Sequence, residues 1–324
     1  MGVDLNPLAV AVSRAKVAAV DLVDVTDRLQ DLARGYRVRG DVEHAPENIK
    51  IIYHPRTLAQ LLYLRESLDD ERPEDAFLKG ALLGIMHGKA RKDGSSAYLS
   101  IDMPNTFSMS PEYVRRYVAK HKLPQLASDV FTKLRERSEW LLREGALAGA
   151  NVVPALVLRG DATRLETLLK DASAPVPDAI VTSPPYLGVL RYGAFNWIRL
   201  WLLGHEPAPI DRLLDSTDSL DRYLSFMASF LDAASRVMRP GGIVALIIGD
   251  VNEFGVRLKL AERVWEELAG VTHFDLVRID DDLWDESVKT TRIWGEERKG
   301  RATPMDRVLI LRRKTRIKGG RAAA

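Results

Sequence analysis

Apolar positions along this chain fall into two rhythms. Short runs, Leu156-Val-Leu158, Asp178-Ala-Ile-Val181, Ile243-Val-Ala-Leu-Ile-Ile248 and Asp306-Arg-Val-Leu-Ile-Leu311, are largely apolar and read as strands. Residues 57–68, 73–87, 111–121 and 130–144 instead show helical spacing. A helix opening at Pro7 continues or restarts through 17–32, with Arg34-Gly35 as a stop signal. The central strands hand over to polar loops, Arg159-Gly-Asp-Ala162, Thr182-Ser-Pro-Pro-Tyr186 and Gly249-Asp250, with helices between them. That alternation predicts an α/β fold with parallel strands. About 120 residues separate the N-terminal segment from Leu156, more than a compact crossover needs, so 36–149 is expected to form a helical insertion.

The loop at 182–186 carries the most chemistry, because open α/β sheets place their sites at the C-terminal ends of strands. Pro184 and Pro185 lack backbone donors and fix φ near about −65°, so the loop is stiff and presents carbonyls. The Ser183 hydroxyl oxygen and the Pro184 carbonyl can accept both protons of an exocyclic amine, while Tyr186 stacks on a heterocycle. This points to methylation of a nucleobase amino group; the plainer alternative is a loop that merely ends a strand. In the insertion, Ser110 is expected to cap a helix mixing Arg115, Arg116, Lys120 and Lys122 with Tyr113 and Tyr117. With Lys89, Arg91 and Lys92 it is the candidate DNA-contacting surface, against the alternative of a solvated helix with core tyrosines. Tyr192 and Asn196 are candidates for a base pocket, whereas Trp197 and Trp201, at i and i+4, read as packing residues. The basic stretch 289–301 reads as a loop that braces nucleic acid or as a surface connection, and 314–324 as a disordered basic tail.

With 324 residues and 46% hydrophobic content, the chain can bury one large core and a smaller one. It has no cysteine, which excludes disulfides, thiolate metal sites and the cysteine nucleophile of pyrimidine ring-carbon methylation. The six histidines are dispersed, so no metal is expected. No apolar run approaches the roughly 20 residues of a membrane span, and a cytoplasmic location is the expectation. A net charge of +2 leaves any nucleic-acid argument to local clusters.

The Thr-Ser-Pro-Pro-Tyr motif, the Arg-Gly-Asp-Ala loop and the Pro-Gly-Gly turn before 243–248 together resemble the class I, S-adenosylmethionine-dependent amino-methyltransferases of DNA, over 1–35 and about 150–313. The resemblance implies a Rossmann-like sheet and assigns Ser183, Pro184, Pro185 and Tyr186 to catalysis. Residues 1–5 take the place of the family's second strand, with Asn6 capping the following helix and Pro7 in its first turn. Asp4 then holds the cofactor ribose with Leu5 beside the adenine, and Asp161, Ala162 and Thr182 lie along the cofactor; a helix N-cap is the alternative for Asp161. Double-stranded DNA with a flipped base is the implied partner, contacted by Tyr192, Arg115, Arg116 and Lys120. A serine at 183 favours cytosine N4 over adenine N6; RNA methylation on the same scaffold is the competing enzyme reading. The family's first strand and glycine-rich turn have no counterpart in these residues, so the expectation is a longer gene, a second polypeptide supplying them, or an inactive DNA-binding or partner subunit.

Overall fold

A computed structural model describes residues 1–37, 42–91, 95–104, 108–143, 155–187, 192–214, 219–253, 256–283 and 302–315. In chain order these form β1 (Gly2–Asp4), α1 (Pro7–Val17), α2 (Leu22–Gly35), α3 (Glu47–Lys50), α4 (Pro55–Ser67), α5 (Pro73–Ile85), α6 (Pro111–His121), α7 (Val130–Leu142) and β2 (Val157–Arg159). Then follow α8 (Leu165–Asp171), β3 (Ala179–Thr182), α9 (Tyr192–Phe195), α10 (Trp197–Leu202), α11 (Pro207–Leu213), α12 (Leu220–Val237), β4 (Ile243–Glu253), β5 (Val256–Leu258), α13 (Leu260–Leu268), β6 (Phe274–Leu283) and β7 (Ala302–Arg313). The fold is mixed α/β. Among the described residues no helix is long and apolar enough to cross a membrane.

Two compact units divide the chain: Met1–Arg159 with Tyr192–Leu213, and Gly160–Arg191 with Leu214–Ala324. In the first, helix boundaries follow local chemistry. The Asn6 side chain accepts from the Leu8 N–H at 3.0 Å and Pro7 occupies the first turn of α1. The helix does not run on through 17–32; it stops at Val17 and restarts where Asp21 accepts from the Asp24 N–H at 2.8 Å. Ser110 caps α6 in the same way, and Lys122 ends it in the left-handed region at φ 49°. Val25, Leu29 and Leu32 of α2 share one apolar core with Leu61, Leu78 and Leu82 of α4 and α5, and with Trp197, Ile198 and Leu202 of α10. Residues 1–35 and 192–213 share one compact unit with the helices of 36–149. The i, i+4, i+7 spacing of the α2 trio commits that face to the helical core. Within this unit β1 and β2 pair in parallel, Gly2 opposite Val157 through Asp4 opposite Arg159.

The second unit is built on a sheet of order β3-β4-β7-β6, with β5 folded back on β4. β3 and β4 are parallel, from Ala179 opposite Ile243 to Thr182 opposite Leu246, whereas β7 runs antiparallel to both β4 and β6. Val244, Leu246, Leu309 and Leu311 are buried, as alternation in a covered sheet requires. Past Gly249 a register shift lets β4 run on to Glu253, beyond the apolar run. Asp250, wholly buried there, accepts from Arg257 Nε at 2.8 Å and from Arg307 Nε at 3.1 Å, and Arg307 also meets Glu262 at 3.1 Å. A buried carboxylate is stable only with such partners.

Candidate functional site

In the second unit, the register of β3 against β4 sets the 183–186 loop beside Ile247 to Gly249. The Ser183 hydroxyl donates to the Tyr186 hydroxyl oxygen at 3.2 Å or, in its other rotor, to the Ile247 carbonyl at 3.3 Å. Either way its proton is directed into the protein and its lone pairs stay available to an incoming donor. Pro184 is buried, Pro185 and Tyr186 are half-buried, and Ser183 is exposed, so the loop is anchored by its ring and open at its hydroxyl. The Tyr186 ring lies against β4 at Gly249, where an added Cβ would sit 2.9 Å from Cε1 and 3.1 Å from Cδ1. Glycine at 249 is thus a condition of the tyrosine's position, and the sequence signal for it, a glycine within a strand, marks a close approach. Burial, helped by Tyr186, pushes the buried Tyr223 hydroxyl well above its usual range and keeps it neutral.

Thr182 closes β3, half-buried. Asp161 caps the single 3-10 turn Ala162–Arg164: its Oδ1 accepts from the Thr163 N–H and from the Thr163 hydroxyl, each at 2.8 Å. Asp161 thus caps this turn, and Ala162 is the turn's first residue.

The other candidates lie in the first unit. Asp4 ends β1 with its Oδ1 accepting from the Asn6 N–H at 2.8 Å, followed by half-buried Leu5. Partial desolvation raises the Asp4 carboxyl above its ordinary value, while the Asn6 and Leu5 N–H groups pull it back. Tyr192 opens α9, and its carbonyl accepts from Asn196 Nδ2 at 3.0 Å; Asn196 Oδ1 in turn accepts from Arg199 at 3.1 Å. Trp197 and Trp201 pack as expected: Trp197 is buried with its Nε1 donating to Met109 O at 2.7 Å, and Trp201 meets Tyr53 at a ring separation of 6.4 Å. On α6, Arg115, Arg116 and Lys120 are exposed and form no ion pair among the described residues. Tyr113 and Tyr117 stack on one another at 5.9 Å and 15°, with Tyr113 44% exposed, so Tyr113 does not serve the core. Lys92, the basic stretch 289–301 and most of the tail lie outside the described residues. Among those described, no group of histidines and carboxylates could hold a metal.

No family model matches the chain, and no curated protein matches it. Among solved structures, a Thermus thermophilus protein with the provisional name DNA modification methylase, complexed with S-adenosyl-L-methionine, is 21% identical over 50% of this chain and 54% of that one, with a TM-score of 0.28. TrmN from Thermus thermophilus is 15% identical over 62% of this chain and 40% of that one, with a TM-score of 0.27. The chain spans about half the length of the methylase and less of TrmN. At these scores the likeness carries no functional argument, which rests on the geometry.

Proposed function

We propose that this chain is the base-handling part of an S-adenosylmethionine-dependent, class I DNA amino-methyltransferase, with the N4 amino group of a flipped cytosine as acceptor. The observation that supports this most is the Ser183 hydroxyl, which gives its proton to Tyr186 or Ile247 and so faces outward as an acceptor. A nucleobase amine is conjugated and poorly nucleophilic. Accepting its two protons at Ser183 Oγ and the Pro184 carbonyl favours a pyramidal nitrogen as positive charge develops. The proline pair holds the two acceptors at fixed separation, so alignment is prepared before the base arrives. The cofactor supplies an already activated methyl group, which removes the need for a strong general base. In the first unit Asp4, its carboxylate oriented by the Asn6 N–H, suits the ribose hydroxyls of a nucleoside cofactor, with Leu5 beside its adenine. Arg115, Arg116 and Lys120 meet the DNA backbone, and Tyr192 is assigned to the base.

Among the described residues β3 is the terminal strand of its sheet, and Val181 on it is 73% exposed. An unpaired strand edge can take a further strand, and we assign that strand, with the glycine-rich turn, to a second polypeptide. The test is transfer of labelled methyl from S-adenosylmethionine into DNA and into RNA, with and without that polypeptide. Label in DNA at cytosine N4, lost in Ser183→Ala, supports the proposal; label in RNA alone, or no cofactor binding under any condition, overturns it.

A further inference from the structure

In the first unit, well away in sequence from the Ser-Pro-Pro-Tyr loop, a cleft of about 350 Å³ is lined by Arg14, Arg65, Lys79, Arg159, His205 and Asp70 together with apolar side chains of α1 and α10. Four permanent cations thus face one carboxylate. Arg14 donates through Nη2 to Val157 O at 3.3 Å, which leaves its Nη1 3.9 Å from Asp70. Lys79, only 14% exposed, donates to Leu68 O at 3.3 Å and pairs with the same Asp70. Arg159 donates from Nη1 to His205 Nε2 at 3.4 Å. Arg65 lies over the Trp201 ring at 5.6 Å and, at 3.5 Å, beside the point where Gly204 would carry a Cβ. Gly204 has φ +78°, the left-handed turn that brings His205 round to the cleft.

Side chains held this way are positioned before any ligand arrives, and each is fixed by a neutral group or by the single shared Asp70. Asp70 offsets part of their mutual repulsion, and a bound anion offsets the rest. Guanidinium forks match the tetrahedral oxygens of phosphate, and the cleft is at the small end of ligand pockets, enough for one phosphate and an adjoining sugar. We propose that this cleft is a phosphate-binding site, taking a phosphate of a nucleotide or of a nucleic-acid strand. It does not depend on the methyl-transfer proposal.

Calorimetric titration of the full chain with inorganic phosphate at low salt tests this. Saturable binding at one site is expected, weakened about tenfold in Lys79→Gln and in Arg159→Gln. Asp70→Asn removes the competing carboxylate and tightens binding several-fold, a change that a folding defect cannot imitate. Binding that is absent, or that is the same in all variants, or that weakens in Asp70→Asn overturns the assignment. Competition by a mononucleotide and by oligonucleotides then separates the sources. Displacement of phosphate by a mononucleotide but by neither strand identifies a nucleotide, displacement by a 5′-phosphorylated strand but not by its unphosphorylated twin identifies a strand's terminal phosphate, and displacement by that twin as well identifies the backbone; displacement by none of the three overturns the proposal.

Discussion

Replacing Gly249 by alanine tests how Tyr186 is held. The new methyl would lie 2.9 Å from Tyr186 Cε1, 3.1 Å from Cδ1 and 2.9 Å from Asp306 Oδ1. Carbon atoms in contact prefer about 3.5–4.0 Å, so the ring must retreat by roughly 0.6–1 Å. Asp306 is buried and has little room to move. Overpacking of this kind costs about 1–3 kcal/mol, or about 2–12 °C in melting temperature for a domain of this size. The Ser183 to Tyr186 hydrogen bond at 3.2 Å would break with the same shift. Methyl transfer should fall on the order of 100-fold, the usual consequence of misplacing a reacting group by 1 Å. Thermal melts of Gly249→Ala, Tyr186→Ala and the double variant form a cycle. With the ring gone only the Asp306 contact remains, so the alanine should cost less than half as much. An unchanged melt in Gly249→Ala, or an equal cost in both backgrounds, would refute the reasoning.

Other predictions concern the helical unit. His87 is wholly buried, with Nδ1 donating to Pro104 O at 2.8 Å and Nε2 accepting from Ser108 Oγ at 3.2 Å; burial, then Arg199, pushes its pKa down to about 4. Above the unfolded value of about 6.5 it is neutral in both states, and between there and 4 only the unfolded chain takes the proton. Stability should therefore fall as pH drops through that window, by on the order of 3 kcal/mol, and His87→Gln should flatten the fall in urea titrations at pH 7.5 and 4.5. Asp75, fully buried, accepts from Arg28 at 2.7 and 2.8 Å and from the Asp69 N–H at 3.0 Å. Asp75→Ala leaves the Arg28 guanidinium with Ser67 O at 3.4 Å and solvent, and should cost about 1.5–3 kcal/mol by denaturant titration, part of which Arg28→Leu with Asp75→Leu should recover. Changing Arg115, Arg116 and Lys120 to glutamine should lower the slope of log DNA affinity against log salt by roughly 2–3; an unchanged slope would assign α6 to solvent alone.

What was legible in the sequence was local. The α6 boundaries, the Asn6 and Ser110 caps and the ends of β2 and β3 are set within a few residues, by a cap or by a run of apolar side chains. β6 was not foreseen, because Phe274-Asp-Leu-Val-Arg-Ile-Asp-Asp-Asp282 carries too many charges for a buried run; its strand state comes from pairing with β7. The extension of β4 past Ile248 likewise depends on a distant partner, Arg307, which neutralises Asp250. The grouping of 192–213 with the helices depends on Trp197 and Ile198 reaching a core whose other buried members, Leu202 apart, lie more than sixty residues earlier, which no local pattern encodes. At the candidate site, the proline loop was visible as a motif. The direction of the Ser183 proton and the need for glycine at 249 emerged only once β3 and β4 were paired.

The most direct measurement is nucleoside analysis of DNA incubated with S-adenosylmethionine and this chain, with and without the proposed second polypeptide, comparing wild type with Ser183→Ala. N4-methylcytosine from the wild type, reduced at least about 100-fold by loss of the hydroxyl while DNA affinity and melting temperature hold steady, is the predicted result. Equal yields from both proteins would contradict it.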